Sequence, residues 1–169
     1  MPDNIRQTAK KIKMTKFIDI DKLVKILKQK RKQRKKIVFT NGCFDILHKG
    51  HVAYLEKAKR YGDILVIGLN SDSSIRRLKG PKRPIFPERE RAEVLSALSC
   101  VDYVAMFNEN TPLNLIKKIQ PDVLIKGGDY TLDTIVGRDF LESYGGKVVT
   151  IPLIKGKSTS DIINKIKNS

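Results

Sequence analysis

At 169 residues, 40% of them hydrophobic, the chain has the size and composition of one globular domain, which excludes wholesale disorder. Its formal net charge is +16, from 34 Lys and Arg against 18 Asp and Glu. No apolar run approaches the roughly 20 residues needed to span a bilayer. No secretory signal is expected, and Cys43 and Cys100 lack zinc or disulfide spacing, so a reduced, cytoplasmic setting is expected.

The charge is uneven. Residues 1–36 hold 14 basic and 3 acidic side chains, a net +11, whereas residues 37–169 carry only +5. Residues 1–18 read as a basic, flexible N-terminal segment. The run "KQKRKQRKK" reads as a solvated helix end and linker, because no aromatic residues are interleaved to stack on bases.

"DIDKLVKILKQK" predicts an amphipathic helix ahead of an alternating pattern. "KIVFTNG" is a buried strand meeting a turn, and Val52, Leu55 and Ala58 then mark one face of a helix. "DILVIGLN" is a second strand and "SDSSIRRL" a short capped helix, followed by the Pro- and Gly-rich loop "KGPKRPIFP". "ERERAEVLSALS" is a helix, "VDYVAMF" a strand, and "TPLNLIKKI" a helix with Thr111 at the cap and Pro112 at its first position. "PDVLIKGGDY" is a fourth strand, "LDTIVGRDFLESYGG" one helix with a glycine stop, "KVVTIPL" a fifth strand, and "STSDIINKIK" a capped closing helix. Continuously apolar strands alternating with helices predict an α/β, Rossmann-like three-layer fold with a parallel sheet in the order 3-2-1-4-5. Residues 19–169, including the N-terminal helix, form one domain in this reading.

Ligands of open parallel sheets bind beyond the carboxyl ends of the strands. The unusual stretches fall there, at residues 41–51, 70–87, 126–130 and 154–160. They bring both histidines, several Lys and Arg, paired glycines and a Ser-Thr-Ser run, all suited to donate to phosphate oxygens. A phosphate-rich ligand, most simply a nucleotide, is therefore expected.

The segment "GCFDILHKGH" resembles the HxGH signature of the nucleotidyltransferase superfamily, with His48, Gly50 and His51 in the matching places. The closer resemblance is to the adenylyltransferase domain that makes ADP-heptose from heptose 1-phosphate. It is carried in order by "VFTNGCFDILHKGHVAYLEKAK", "GLNSDSSIRRLKGPKRPI", "ERAEVLSAL", "VDYV", "TPLNLI", "PDVLIKGGDY" and "STSDII". The length leaves no room for the sugar kinase often fused to that domain, so a stand-alone transferase is expected.

The resemblance implies transfer of AMP from ATP to D-glycero-β-D-manno-heptose 1-phosphate, for lipopolysaccharide core synthesis. It implies that His48, His51 and Lys79 are catalytic, with the histidines on the triphosphate. It places Asn41, Gly42, Cys43, Phe44, Gly50, Lys126, Gly127, Asp129, Ser158, Thr159 and Ser160 at the nucleotide, and Lys82 or Arg83 at the substrate phosphate. Asp45 is expected to cap its own turn through backbone hydrogen bonds. No protein metal site is expected; Mg²⁺ would arrive with ATP. The partners implied are ATP, a sugar 1-phosphate and a second copy of the chain in a homodimer, with no membrane and no nucleic acid. One alternative is a cytidylyltransferase acting on glycerol 3-phosphate or a related ester, against which Leu153 and Lys155 stand where those relatives carry Arg and Glu. The other is a nucleic-acid-binding protein on the same scaffold, using the basic N-terminus.

Overall fold

The computed structural model describes residues 16–154 and 159–168. The apolar runs become strands β1 (Ile37–Gly42), β2 (Ile64–Asn70), β3 (Tyr103–Phe107), β4 (Val123–Gly127) and β5 (Lys147–Ile151). They form one parallel sheet in the order β3-β2-β1-β4-β5, as the alternating pattern predicts. The helices are α1 (Ile20–Lys32), α2 (Lys49–Lys59), α3 (Asp72–Lys79), α4 (Glu88–Ala97), α5 (Leu113–Ile119), α6 (Arg138–Glu142) and α7 (Thr159–Lys167). None of the described helices is long and apolar enough to cross a membrane.

Alternate strand residues face opposite sides of the sheet, so each strand feeds two cores. Ile37, Phe39, Val66 and Leu124 pack with Leu23 and Leu27 of α1 and Ile116 of α5. Val38, Leu65, Ile67 and Ile125 pack on the other face with Leu55 of α2 and Leu95 of α4. Truncating a fully buried leucine such as Leu27 or Leu55 to alanine would cost about 2–5 kcal/mol. Within β2, position 68 is a glycine where a Cβ would lie 2.7 Å from the Phe39 ring.

Three departures from the sequence reading have physical causes. Residues 16–18, grouped by sequence with the N-terminal segment, instead pair with the outer strand. Ile18 N–H donates to the Val104 carbonyl at 3.0 Å, and Val104 N–H to that of Lys16 at 2.8 Å. Residues 132–146 are not one helix. A 3₁₀ turn (Leu132–Thr134) precedes α6, and the break falls at Gly137, whose φ of 89° a helix cannot continue. Finally, α5 starts at Leu113, with Pro112 at the cap and no side-chain cap bond.

Part of the basic excess is structural. Asp19 caps α1 by accepting from the Asp21 and Lys22 amides. At its other end, Arg31 donates to the carbonyls of Ile119 and Gln120, which close α5. The remainder of the Lys28–Lys36 run is largely exposed.

At the centre, β1 pairs with β2 as far as Gly42↔Leu69, but with β4 only at Val38↔Val123 and Phe39↔Leu124. The strands β1 and β4 therefore part at their carboxyl ends. A crevice opens there, where connections leave toward opposite sides of the sheet.

Candidate active site

A cleft of about 330 Å³ occupies this crevice, between the loop after β1, the end of α3, the end of β4 and the start of α7. Both histidines stand at its floor. His48 is the N-cap of α2, in extended conformation, and its Nδ1 accepts from Gly50 N–H at 3.1 Å. In the neutral ring that bond assigns the proton to Nε2. The His48 and His51 rings lie with centroids 3.9 Å apart and planes 32° apart. Burial, then the charges of His48 and Lys79, pull the His51 pKa down to about 4. Nδ1 of His51 is buried without a well-formed hydrogen bond, although the Ile46 backbone opposes the shift weakly. Gly50 matches the close approach of the backbone at a helix N-terminus, where anions are favoured.

Phe44 adopts a left-handed backbone (φ 43°), which turns its ring over Gly42 and against His51 at 5.3 Å between centroids. A Cβ on Gly42 would lie 3.0 Å from that ring. Cys43 lines the cleft too, but burial pushes its thiol up despite Lys79, Arg91 and Arg83 nearby, which disfavours the thiolate.

On one wall stand Lys79, the last residue of α3, and Arg83. Arg83 Nε donates to Asp45 at 2.7 Å, in an ion pair whose side chains are 15% and 1% exposed. The same carboxylate accepts from the Ile85 and Phe86 amides at 2.8–2.9 Å. Asp45 therefore anchors a loop some 40 residues further along the chain rather than capping its own turn. Burial alone would raise its pKa, yet these donors bring it below the usual value. Among the described residues, Nη2 of Arg83 is buried with no hydrogen-bond partner. Lys82 is exposed and does not line the cleft, because the loop aims it outward.

The opposite wall holds Asn41, Gly127, Asp129, Thr159 and Ser160. A Cβ on Gly127 would lie 2.6 Å from Asp129 Oδ1, so a side chain there would displace that carboxylate. Ser158 lies outside the described residues, and the expectation for it is untouched. Lys126 differs from its sequence assignment. It is buried behind the wall, its ammonium donating to Asn41 Oδ1 with the Tyr130 ring 5.6 Å away, so it reaches the cleft through Asn41. Burial lowers its pKa to about 8, against the opposing charge of Asp129.

Tyr54 and Arg91 have no site role in the sequence reading, and Leu153 and Ile154 have no specific one. Tyr54 lines the cleft with its hydroxyl 2.8 Å from Thr40 Oγ1, and burial pushes its phenol up to about 12. Leu153 and Ile154 supply an exposed apolar flank. Arg91, fully buried, donates to the carbonyls of Cys43 (2.6 Å), Asn70 (2.9 Å) and Phe86 (3.0 Å) and to Asp72 (2.7 Å). One guanidinium thus ties together the exits of β1 and β2, the start of α3 and the loop before α4. Its signal lies in the sequence: Arg91 shares the helical stripe of Ala92 and Leu95, where an apolar residue is expected.

The profile of the cytidylyltransferase-like family matches residues 39–165. The chain is 61% identical over 141 residues to the bifunctional protein HldE of Syntrophotalea carbinolica, covering 83% of this chain and 29% of that protein. It is 58% identical over 148 residues to HldE of Geobacter sulfurreducens, covering 88% and 30%. The chain therefore spans about three tenths of the length of these relatives. A lipopolysaccharide core biosynthesis protein from Thermoplasma volcanium superposes with a TM-score of 0.60 at 31% identity, over 72% of this chain and 98% of that one. The pantoate-β-alanine ligase of Francisella tularensis shares the fold at 16% identity and a TM-score of 0.59, over 91% of this chain and 78% of that one.

Proposed function

The chain belongs to the cytidylyltransferase-like family of nucleotidyltransferases, and from that premise we propose that it transfers AMP from ATP to D-glycero-β-D-manno-heptose 1-phosphate. The products are ADP-heptose, for lipopolysaccharide core synthesis, and pyrophosphate. The convergence of His48, His51, Lys79 and the start of α7 on one cleft supports the transfer chemistry most directly. The choice of heptose rests on the motif resemblance and on the 58–61% identity to HldE proteins.

The reaction is an in-line displacement. A sugar-phosphate oxygen forms a bond to the α-phosphorus while the bond to the bridging oxygen breaks and pyrophosphate leaves with the electron pair. The attacking oxygen is already anionic at neutral pH, so no general base is required. What the site must supply is position and positive field for two anions that repel each other. His48 Nε2–H and the α2 N-terminus donate to the triphosphate, and His51 sits as a neutral ring beside them. Lys79 neutralises charge as the pentacovalent state forms. Arg83 lines the cleft, held by Asp45, and takes the sugar-phosphate oxygens. Gly127 and Asp129 flank the nucleoside, with Ser158, Thr159 and Ser160 on the β- and γ-phosphates. Magnesium enters as part of the substrate MgATP. ATP and a sugar phosphate agree with a cytoplasmic setting, and the expected homodimer is measurable by sedimentation.

Pyrophosphate release by the purified chain tests the reading, with MgATP or MgCTP offered with heptose 1-phosphate or glycerol 3-phosphate. Turnover should require the ATP and heptose 1-phosphate pair. Equal or faster turnover with CTP on either acceptor would move the chain to the cytidylyltransferase alternative.

A further inference from the structure

Where β1 and β4 part, the backbone ladder stops at Phe39↔Leu124, two residues short of Asn41 and Lys126. The side chains of those two residues close the gap, the Lys126 ammonium donating to Asn41 Oδ1 across the crevice. Lys126 is only 7% exposed, and among the described residues its polar contacts are this oxygen and the Tyr130 ring, with no carboxylate in salt-bridge range. An ammonium has donors and no lone pair to offer. Asn41 must therefore turn its oxygen to the lysine, which leaves its amide NH₂ to the cleft that Asn41 lines. The described residues give that nitrogen no acceptor.

We propose that Lys126 and Asn41 form a clasp across the parted strands, through which Asn41 presents a fixed hydrogen-bond donor to an acceptor oxygen of the bound nucleotide. Lys126 is a positioning residue and never touches the ligand. Its burial beneath the wall serves to hold one amide rotamer, so the donor is set before the nucleotide arrives and needs no reordering on binding. The inference rests on the cleft being a nucleotide site.

MgATP binding to the full chain and three variants, measured by calorimetry alongside thermal midpoints, tests it. Asn41→Asp keeps a partner for Lys126 and strengthens the pair, so its midpoint should hold or rise. Yet it replaces the donor with an oxygen, and Kd should rise at least tenfold, about the worth of one hydrogen bond to a charged acceptor. Asn41→Leu adds no charge and should also weaken binding about tenfold. Lys126→Met frees the Asn41 amide to turn and removes a buried charge, so it should raise Kd about threefold or more with the midpoint held or raised. Wild-type affinity in Asn41→Leu overturns the donor, even if Asn41→Asp is weak through repulsion. Wild-type affinity in Lys126→Met overturns the clasp. Affinity lost only in proportion to thermal stability makes the pair merely structural and overturns the proposal too. A wild-type chain that binds neither MgATP nor MgCTP overturns the nucleotide reading itself, and the clasp with it.

Discussion

Asp45 and Arg83 stand 38 residues apart in the chain and form an ion pair of 2.7 Å at the wall of the cleft. The pair fixes the loop that carries Arg83, because the same carboxylate holds the Ile85 and Phe86 amides. Asp45→Asn preserves the shape but removes the charge. Breaking one side of a buried pair costs about 3–5 kcal/mol, and Arg83 retains some solvent access, so a loss nearer 2–3 kcal/mol is expected in urea unfolding. KM for the sugar phosphate should rise about tenfold while KM for ATP changes little. A larger effect on ATP would place Arg83 at the wrong substrate.

His48 has two separable duties. Its ring caps α2 and its far nitrogen addresses the cleft. His48→Ala should lower kcat by on the order of 10²-fold or more, the scale of one lost transition-state donor, and also cost about 1 kcal/mol of stability as a lost cap. His48→Asn should recover the stability and not the rate. His51→Ala should lower kcat comparably. Near-normal turnover in either alanine variant would refute the reading of the "HKGH" segment.

The pH dependence of stability has a defined sign at each end. His51 titrates at about 4 in the folded chain against an ordinary 6.5. Between those values the unfolded chain binds a proton that the cleft refuses, so this residue makes stability fall as pH drops from 6.5 toward 4. Since the ring is partly solvated, about 1 kcal/mol is expected. Lys126, at about 8 against 10.5, obeys the same rule higher up, and its contribution rises between those values as the folded amine sheds its charge first. Urea titrations across pH should show the acid slope reduced in His51→Asn and the alkaline rise reduced in Lys126→Met.

Removing residues 1–15 takes away Arg6, Lys10, Lys11 and Lys13 against Asp3, and leaves the pairing of residues 16–18 with β3. The shortened chain should keep kcat and KM for ATP within about twofold, and any RNA binding by the full chain should fall steeply with salt. Removing residues through Ile18 instead bares the edge of β3 and should lower the thermal midpoint by several degrees. Tight, salt-resistant RNA binding that disappears with residues 1–15, without transferase activity, would favour the nucleic-acid alternative.

Contacts between neighbours in the chain were legible in the sequence; contacts across it were not. Unbroken apolar runs such as "DILVIGLN" are buried on both faces, which dictates a parallel sheet, and the position of "HKGH" at a strand end follows. Asp45 and Arg91 look like ordinary turn and helix residues because their partners lie far along the chain. Their roles come from where loops meet: a local pattern marks Arg91 as a charge on an apolar stripe but does not encode its partners. Lys126 is expected at the ligand from its place in "LIKGGDY", but its ammonium is spent on Asn41 Oδ1, a contact between strands 85 residues apart. The helix expected over residues 132–146 failed at Gly137, where Ile116 leaves a Cβ only 2.8 Å of room.

The four bonds of Arg91 also bear on how the site opens. Its guanidinium holds three carbonyls from separate segments, so none of these can swing out without stranding a buried cation. The loop after β1, the start of α3 and the stretch around Phe86 should then open to solvent together, as one cooperative unit, instead of fraying independently. In native-state hydrogen exchange the amides of Asp72, Ile85 and Phe86, each bonded to a carboxylate within this knot, would share a single opening free energy. In Arg91→Met the value for Asp72 would separate from the one shared by Ile85 and Phe86, and the mouth of the cleft would breathe segment by segment.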